Sequence, residues 1–128
     1  MPKIELMIAG AHTIIYAEDA AKARAFLRDV IGFPHVDAGD GWLIFELPPG
    51  EIAFHPAWDA RPAGQHELYF MCADVEQTRR ELEEKGVEFV SPVSDEGWGL
   101  LTRFNLPGAG EVFLYEPKHP SPLAQFSA

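Results

Sequence analysis

His12-Thr13-Ile14-Ile15-Tyr16-Ala17-Glu18-Asp19 returns later in the chain as Glu67-Leu68-Tyr69-Phe70-Met71-Cys72-Ala73-Asp74, an apolar run closed by an acid. The correspondence continues outward from both copies. Each is followed by a stretch with helical spacing, residues 20–30 and 75–85, ended by Gly32 or Gly86. Gly41-Trp42 then answers Gly97-Trp98, and Leu43-Ile44-Phe45-Glu46-Leu47-Pro48 answers Leu101-Thr102-Arg103-Phe104-Asn105-Leu106-Pro107 with one inserted residue. Last, Glu51-Ile52-Ala53-Phe54-His55 pairs with Glu111-Val112-Phe113-Leu114-Tyr115. An internal duplication is read before any single residue, because equivalent positions in two copies tend to face one shared space.

The local signals give each copy the same order of elements. Residues 12–17 and 66–72 are rich in β-branched and aromatic side chains and read as strands. Asp19 and Asp74 are suited to cap the helices that follow, since a short acidic side chain can accept from the orphan amides of a first helical turn. Ala23, Phe26, Leu27 and Val30 share one side of the first helix; Val75, Thr78, Leu82 and Lys85 share one side of the second. Glycine at 32 and 86 suits the left-handed residue that ends a helix. Strands are expected at 33–36, 42–47 and 51–55 in the first copy, and at 87–90, 100–106 and 111–116 in the second. Each unit is therefore β-α-β-β-β, and the fold class is α+β. The modules span residues 1–56 (with a lead-in strand or edge at 3–8) and 65–117. Residues 57–64 form a Pro/Gly/Ala linker, and the proline spacing predicts an irregular tail over 118–128 lying on the surface.

Composition narrows the function. A chain of 128 residues, 47% hydrophobic and 23% charged, is ordinary for a globular protein. A formal net charge of −10, with ten scattered basic residues, gives no platform for a phosphate backbone, so nucleic acid is not an expected partner. No apolar run is long enough to span a bilayer and no secretory leader is evident, so no membrane partner is expected. The single cysteine, Cys72, cannot form an internal disulfide; a cytoplasmic setting and a buried, inert thiol are the natural readings. Serine-hydrolase, P-loop, zincin and paired-cysteine motifs are absent, so no nucleotide cofactor is expected.

The tandem unit, together with His12-Thr13 and Asp19, Ala25-Phe26-Leu27-Arg28-Asp29-Val30-Ile31-Gly32-Phe33, Glu84-Lys85-Gly86-Val87-Glu88-Phe89 and Leu106-Pro107-Gly108-Ala109-Gly110, resembles the vicinal oxygen chelate superfamily. That group holds glyoxalase I, extradiol dioxygenases, fosfomycin-resistance enzymes and bleomycin-binding proteins. The resemblance implies eight strands in a cupped sheet with the helices outside. It also implies a cavity that often holds one divalent ion (Fe, Mn, Ni or Zn), with ligands from the first and fourth strand of each module. Modules in such proteins pair within one chain or across a two-fold dimer, and a homodimer is expected.

Strand alternation maps that site. If His12 faces the cavity, so do Ile14 and Tyr16, and in the repeat Glu67, Tyr69 and Met71. One face of the fourth strands carries Glu51, Ala53 and His55, matched by Glu111, Phe113 and Tyr115. Phe113 falls where the resemblance expects a ligand glutamate, and Ala53 holds the partner position. His12, Glu67 and His55 are then the candidate metal donors, and His12 and Glu67 the candidate catalytic residues. Glu51 and Glu111 are expected nearer the rim, His35 and His119 in surface loops, and His66 pointing away. Tyr16, Tyr69, Met71, Phe113 and Tyr115, with Trp98 as part of a lid, form a lining suited to a planar small molecule.

Three functions fit these residues. The leading one is a glyoxalase- or dioxygenase-like lyase or oxidoreductase whose metal chelates a substrate with vicinal oxygens. The second is a metal-free, bleomycin-resistance-like protein that sequesters an aromatic drug or metabolite. The third is a metal-free isomerase or epimerase working through His12 and Glu67.

Overall fold

A computed structural model describes residues 12–126. Asp19 caps the first helix, α1 (Ala20–Phe26), by accepting from the Lys22 amide at 3.1 Å. The helix widens into a π turn over Leu27–Ile31 and stops at Gly32, whose φ of 80° is left-handed. A short antiparallel hairpin follows, β1 (His35–Asp37) with β2 (Leu43–Phe45). The second half holds β3 (Tyr69–Met71), α2 (Val75–Glu84), β4 (Ser94–Asp95), β5 (Gly99–Leu106) and β6 (Gly110–Pro117). These strands form one sheet in the order β3-β6-β5-β4, with β3 parallel to β6 and the other pairs antiparallel.

The second copy follows its sequence reading closely. Asp74 caps α2 through the Gln77 amide at 3.1 Å. Residues 87–90 make only a bridge at Phe89 to Phe104, with amide bonds from Val90 to Arg103 and from Asn105 to Glu88. Alternation sends Val112 and Leu114 of β6, and Thr102, Phe104 and Leu106 of β5, to the helix side, where they are buried with Val75 and Val87. Arg79 of α2 ties the layers together: its guanidinium donates to the Ser91 carbonyl at 2.7 Å and to the buried Thr102 hydroxyl at 3.1 Å, and lies 4.8 Å over the Phe89 ring. Cys72, on the same side, is half-buried, and burial pushes its thiol up to about 11. A thiol so poised is protonated at neutral pH and unreactive.

The first copy departs from expectation. Six strands in two sheets, of two and four strands, are present among the described residues in place of the expected eight in one cupped sheet. Residues 12–17 and 51–55 have no ladder partners among the described residues, and Tyr16 (92%), Phe54 (89%) and Ile52 (82%) stand almost fully exposed. The reason is cover. By the repeat, these two segments would pair in parallel as β3 pairs with β6, and a short two-stranded parallel ribbon does not hold by itself in water. The helix that should roof them is engaged elsewhere. Phe26 of α1 is buried in the second copy's core, 6.2 Å from the Phe104 ring, and Phe33 meets Phe70 at 5.8 Å. Both helices thus cover one sheet. The expected lead-in strand at 3–8 lies outside the described residues.

The tail is also more structured than its prolines suggest. It ends in a 3₁₀ turn at Ala124–Phe126 and is fastened on the way: the Lys118 amide donates to the Trp98 carbonyl at 2.8 Å, and its ammonium pairs with Asp95 at 2.8 Å.

Candidate functional site

The face of the sheet opposite the helices carries Glu67, Tyr69 and Met71 from the β3 segment, and Glu111, Phe113 and Tyr115 from β6. Parallel pairing sets Tyr69 opposite Phe113 and Met71 opposite Tyr115. The Tyr69 and Phe113 rings stack at 4.2 Å between centroids, 7° from parallel. Tyr115 stands edge-on to Tyr69 at 5.8 Å. Trp98, in the loop before β5, meets Tyr115 at 5.4 Å and Tyr69 at 6.3 Å, both edge-to-face. Gly99 beside it lets the loop close down, since a Cβ there would stand 2.8 Å from the Tyr115 ring. Four aromatic rings therefore form one contiguous cluster, with Trp98 half-exposed at its outer side. Such T-shaped and offset pairs satisfy the ring quadrupoles and hold the cluster in shape. Burial, followed by the charge of Glu67, raises the Tyr69 hydroxyl above its ordinary value; burial and the charge of Glu51 do the same for Tyr115. Both phenols are neutral donors at physiological pH.

The expected metal donors do not converge. Glu67 is held by the Arg61 guanidinium at 2.8 Å and accepts from the Tyr69 hydroxyl at 3.3 Å. His12 and His55 lie on the two exposed, unladdered segments. Among the described residues there is no group of three or more His, Cys, Asp or Glu placed to hold a metal ion. Ala53 and Phe113 offer no donor atom at the two remaining places. In the described residues Glu67 is engaged by Arg61 and Tyr69. Tyr16, expected in the lining, projects into solvent.

A second polar constellation escaped the sequence reading. Glu51, His119 and Ser121 come together beside Tyr115. The Tyr115 hydroxyl lies 2.9 Å from His119 Nε2, and the Ser121 hydroxyl donates to Glu51 at 2.5 Å. His119, expected in a surface loop, is thereby partly buried, and Glu51, expected at a rim, is only 18% exposed. No motif links residues so far apart in the chain. The one signal available was Glu51 sharing a strand face with Ala53 and His55. Trp42 and Trp98, equivalent in the repeat, also part company: Trp42 lies under Arg24 at 4.4 Å on the first-copy side, away from the aromatic cluster.

A cleft of about 200 Å³ adjoins the cluster, lined by Ile15, His66, Glu67, Ala109, Glu111 and Phe113 among others. His66 reaches this cleft although it alternates with Glu67. A larger open depression on the β1–β2 hairpin is lined by Pro34, His35, Val36, Ile44, Phe45 and Glu46, and does not include the aromatic cluster.

Comparison with known proteins agrees with the fold. Residues 10–119 match the model of the glyoxalase/bleomycin resistance protein/dioxygenase superfamily. Solved structures similar to this chain include TnmS3, an antibiotic binding protein from Streptomyces sp. CB03234, at 23% identity and TM-score 0.61, covering 89% of this chain and 100% of that one. A member of the same superfamily from Sphaerobacter thermophilus is 28% identical with TM-score 0.59, covering 87% and 99%. A lactoylglutathione lyase from Agrobacterium tumefaciens is 21% identical with TM-score 0.59, covering 84% and 92%. No curated protein matches the chain. No helix among the described residues is long and apolar enough to cross a membrane.

Proposed function

Since the chain belongs to the glyoxalase/bleomycin resistance protein/dioxygenase superfamily, whose members include both enzymes and binding proteins, we propose that this one binds a planar aromatic small molecule without a metal, against Tyr69, Trp98, Phe113 and Tyr115. One observation carries the reading. Where the resemblance expects a metal-binding carboxylate, Phe113 stands stacked on Tyr69 at 4.2 Å. The position is built for a π-surface. A flat aromatic ligand gains area burial and ring–ring contact there, the latter about 0.5–1.5 kcal/mol per pair beyond the area itself. The resemblance to TnmS3 supplies a shared fold, and the antibiotic binding of that protein is in keeping with this class of function.

The test is a calorimetric titration of purified protein with planar aromatics, paired with titrations using Mn²⁺, Fe²⁺, Ni²⁺ and Zn²⁺. Micromolar aromatic binding that weakens at least tenfold in Phe113→Ala, with no metal uptake at that level, is the expected outcome. Stoichiometric metal binding lost in both His12→Ala and Glu67→Gln would return the chain to the chelate class.

We further propose a homodimer. Tyr16, Ile52, Phe54 and the half-exposed Trp58 put large apolar surface on the first copy, more than a monomer ordinarily leaves in water. A second chain is the partner expected from the resemblance. Analytical ultracentrifugation should give twice the 14.2 kDa chain mass, and Phe54→Asp should shift the protein toward the monomer. A monomeric wild type at tens of micromolar would sink the idea.

A further inference from the structure

The polar constellation beside Tyr115 is assembled from three distant parts of the chain. Glu51 comes from the first copy, Tyr115 from β6, and His119 and Ser121 from the tail. His119 Nδ1 faces the Pro120 carbonyl at 2.7 Å, a group that only accepts, so Nδ1 carries the proton of the neutral ring. Nε2 is then an acceptor, and the Tyr115 hydroxyl donates to it at 2.9 Å. One Glu51 oxygen takes the Ser121 hydroxyl at 2.5 Å, and the other lies 3.6 Å from His119 Nε2. The cluster is thus a pair of adjacent acceptors, each filled by a hydroxyl of the protein itself. The Tyr115 ring, stacked at 5.8 Å with His119, also meets Trp98 at 5.4 Å. Tyr115 therefore joins the two sites, its ring in the aromatic cluster and its hydroxyl on His119 beside Glu51.

We propose that the Glu51 carboxylate forms an acceptor subsite for a phenolic hydroxyl at the end of the aromatic face, and that Ser121 occupies it until such a ligand arrives. The proposal rests on the aromatic-ligand reading above and names the ligand class: planar aromatics carrying a ring hydroxyl. The chemistry favours exchange. A phenol, with its acidity near pKa 10, is a stronger donor than the aliphatic hydroxyl of serine. A hydrogen bond to an ionised carboxylate is roughly twice as strong as a neutral one, which sharpens the difference. Glu67, the other carboxylate near the aromatic cluster, is already matched by Arg61. Glu51 is held by the Ser121 hydroxyl.

Two probes of nearly equal shape separate this subsite from the aromatic face: 2-naphthol and 2-methoxynaphthalene, titrated by calorimetry at pH 7. The wild type is expected to bind 2-naphthol about tenfold more tightly, the order expected of one charge-assisted hydrogen bond. Glu51→Gln should erase most of that preference and leave 2-methoxynaphthalene affinity unchanged. Ser121→Ala should act the other way, raising 2-naphthol affinity about threefold by removing the competing hydroxyl. A gain in affinity cannot come from misfolding, even though Ser121 also accepts from the Leu123 amide at 3.0 Å. Equal affinity for the two probes, or a preference that survives Glu51→Gln, overturns the subsite and leaves the aromatic reading standing. Failure of both probes to bind overturns both.

Discussion

Phe104→Ala is expected to lower the stability of the protein by about 3–5 kcal/mol, the range for emptying a fully buried aromatic site. Phe104 is 1% exposed and sits where three other rings meet: Phe26 at 6.2 Å, Phe70 at 6.2 Å and Phe89 at 5.4 Å. Those rings come from the first helix, from β3 and from the segment after α2, so the cavity left by alanine would open under every layer at once. Against a typical total of about 5–15 kcal/mol, such a loss approaches unfolding. In thermal melts followed by circular dichroism it should appear as a fall of roughly 10–20 °C in Tm. Phe104→Leu, which keeps most of the volume, should cost much less. A loss below about 1 kcal/mol for the alanine variant would mean that the first helix does not share this core.

That shared core also explains which parts of the molecule were legible in the sequence. The second copy was, because its signals are local. Asp74 caps a helix, Gly86 follows its end, and strict alternation along 100–106 and 111–116 assigns faces without reference to the rest of the chain. The open-face set of Glu67, Tyr69, Met71, Glu111, Phe113 and Tyr115 follows from that alternation alone. The first copy carries signals of the same kind and yet, among the described residues, forms only α1 and the β1–β2 hairpin of its expected elements. Ile14, Tyr16, Ile52 and Phe54 have the composition of strands, but a strand needs a hydrogen-bonded neighbour and an apolar roof. Phe26 gives its roof to the other copy. Periodicity reports that a helix has an apolar side; it does not report which sheet that side will cover. The same limit hid the Glu51–His119–Ser121 cluster, whose members are joined by the path of the tail. It hid as well the Arg61 partner of Glu67, which comes from the segment read as a linker.

Gly108→Ala should detach the first helix from this core, and its effect should exceed that of a glycine substitution two residues away. Gly108 has φ +79°, a left-handed conformation that costs a residue with a Cβ about 1–2 kcal/mol. The space is also occupied: a Cβ at 108 would run into the Asp19 carbonyl oxygen and stand 3.0 Å from the Asp19 Cβ. Asp19 cannot move cheaply. Its amide donates to the Gly108 carbonyl at 2.9 Å, and its side chain caps α1 through the Lys22 amide. Pushing it aside loses that cap, worth about 1 kcal/mol, and shifts the helix that delivers Phe26 to Phe104. The combined cost should be roughly 2–3 kcal/mol. Gly110 is the internal control, with φ +87° and nothing within 4 Å of an added Cβ, so Gly110→Ala should show the conformational cost alone. Hydrogen exchange gives the second readout. In Gly108→Ala the amides of α1 should lose protection while those of β5 and β6 keep theirs, since the strands pair with each other along their full length. If the two glycine variants melt together and α1 stays protected in both, the contact between Asp19 and Gly108 is not what seats the first half on the sheet. The Leu106-Pro107-Gly108-Ala109-Gly110 signature would then owe its form to the β5–β6 turn alone.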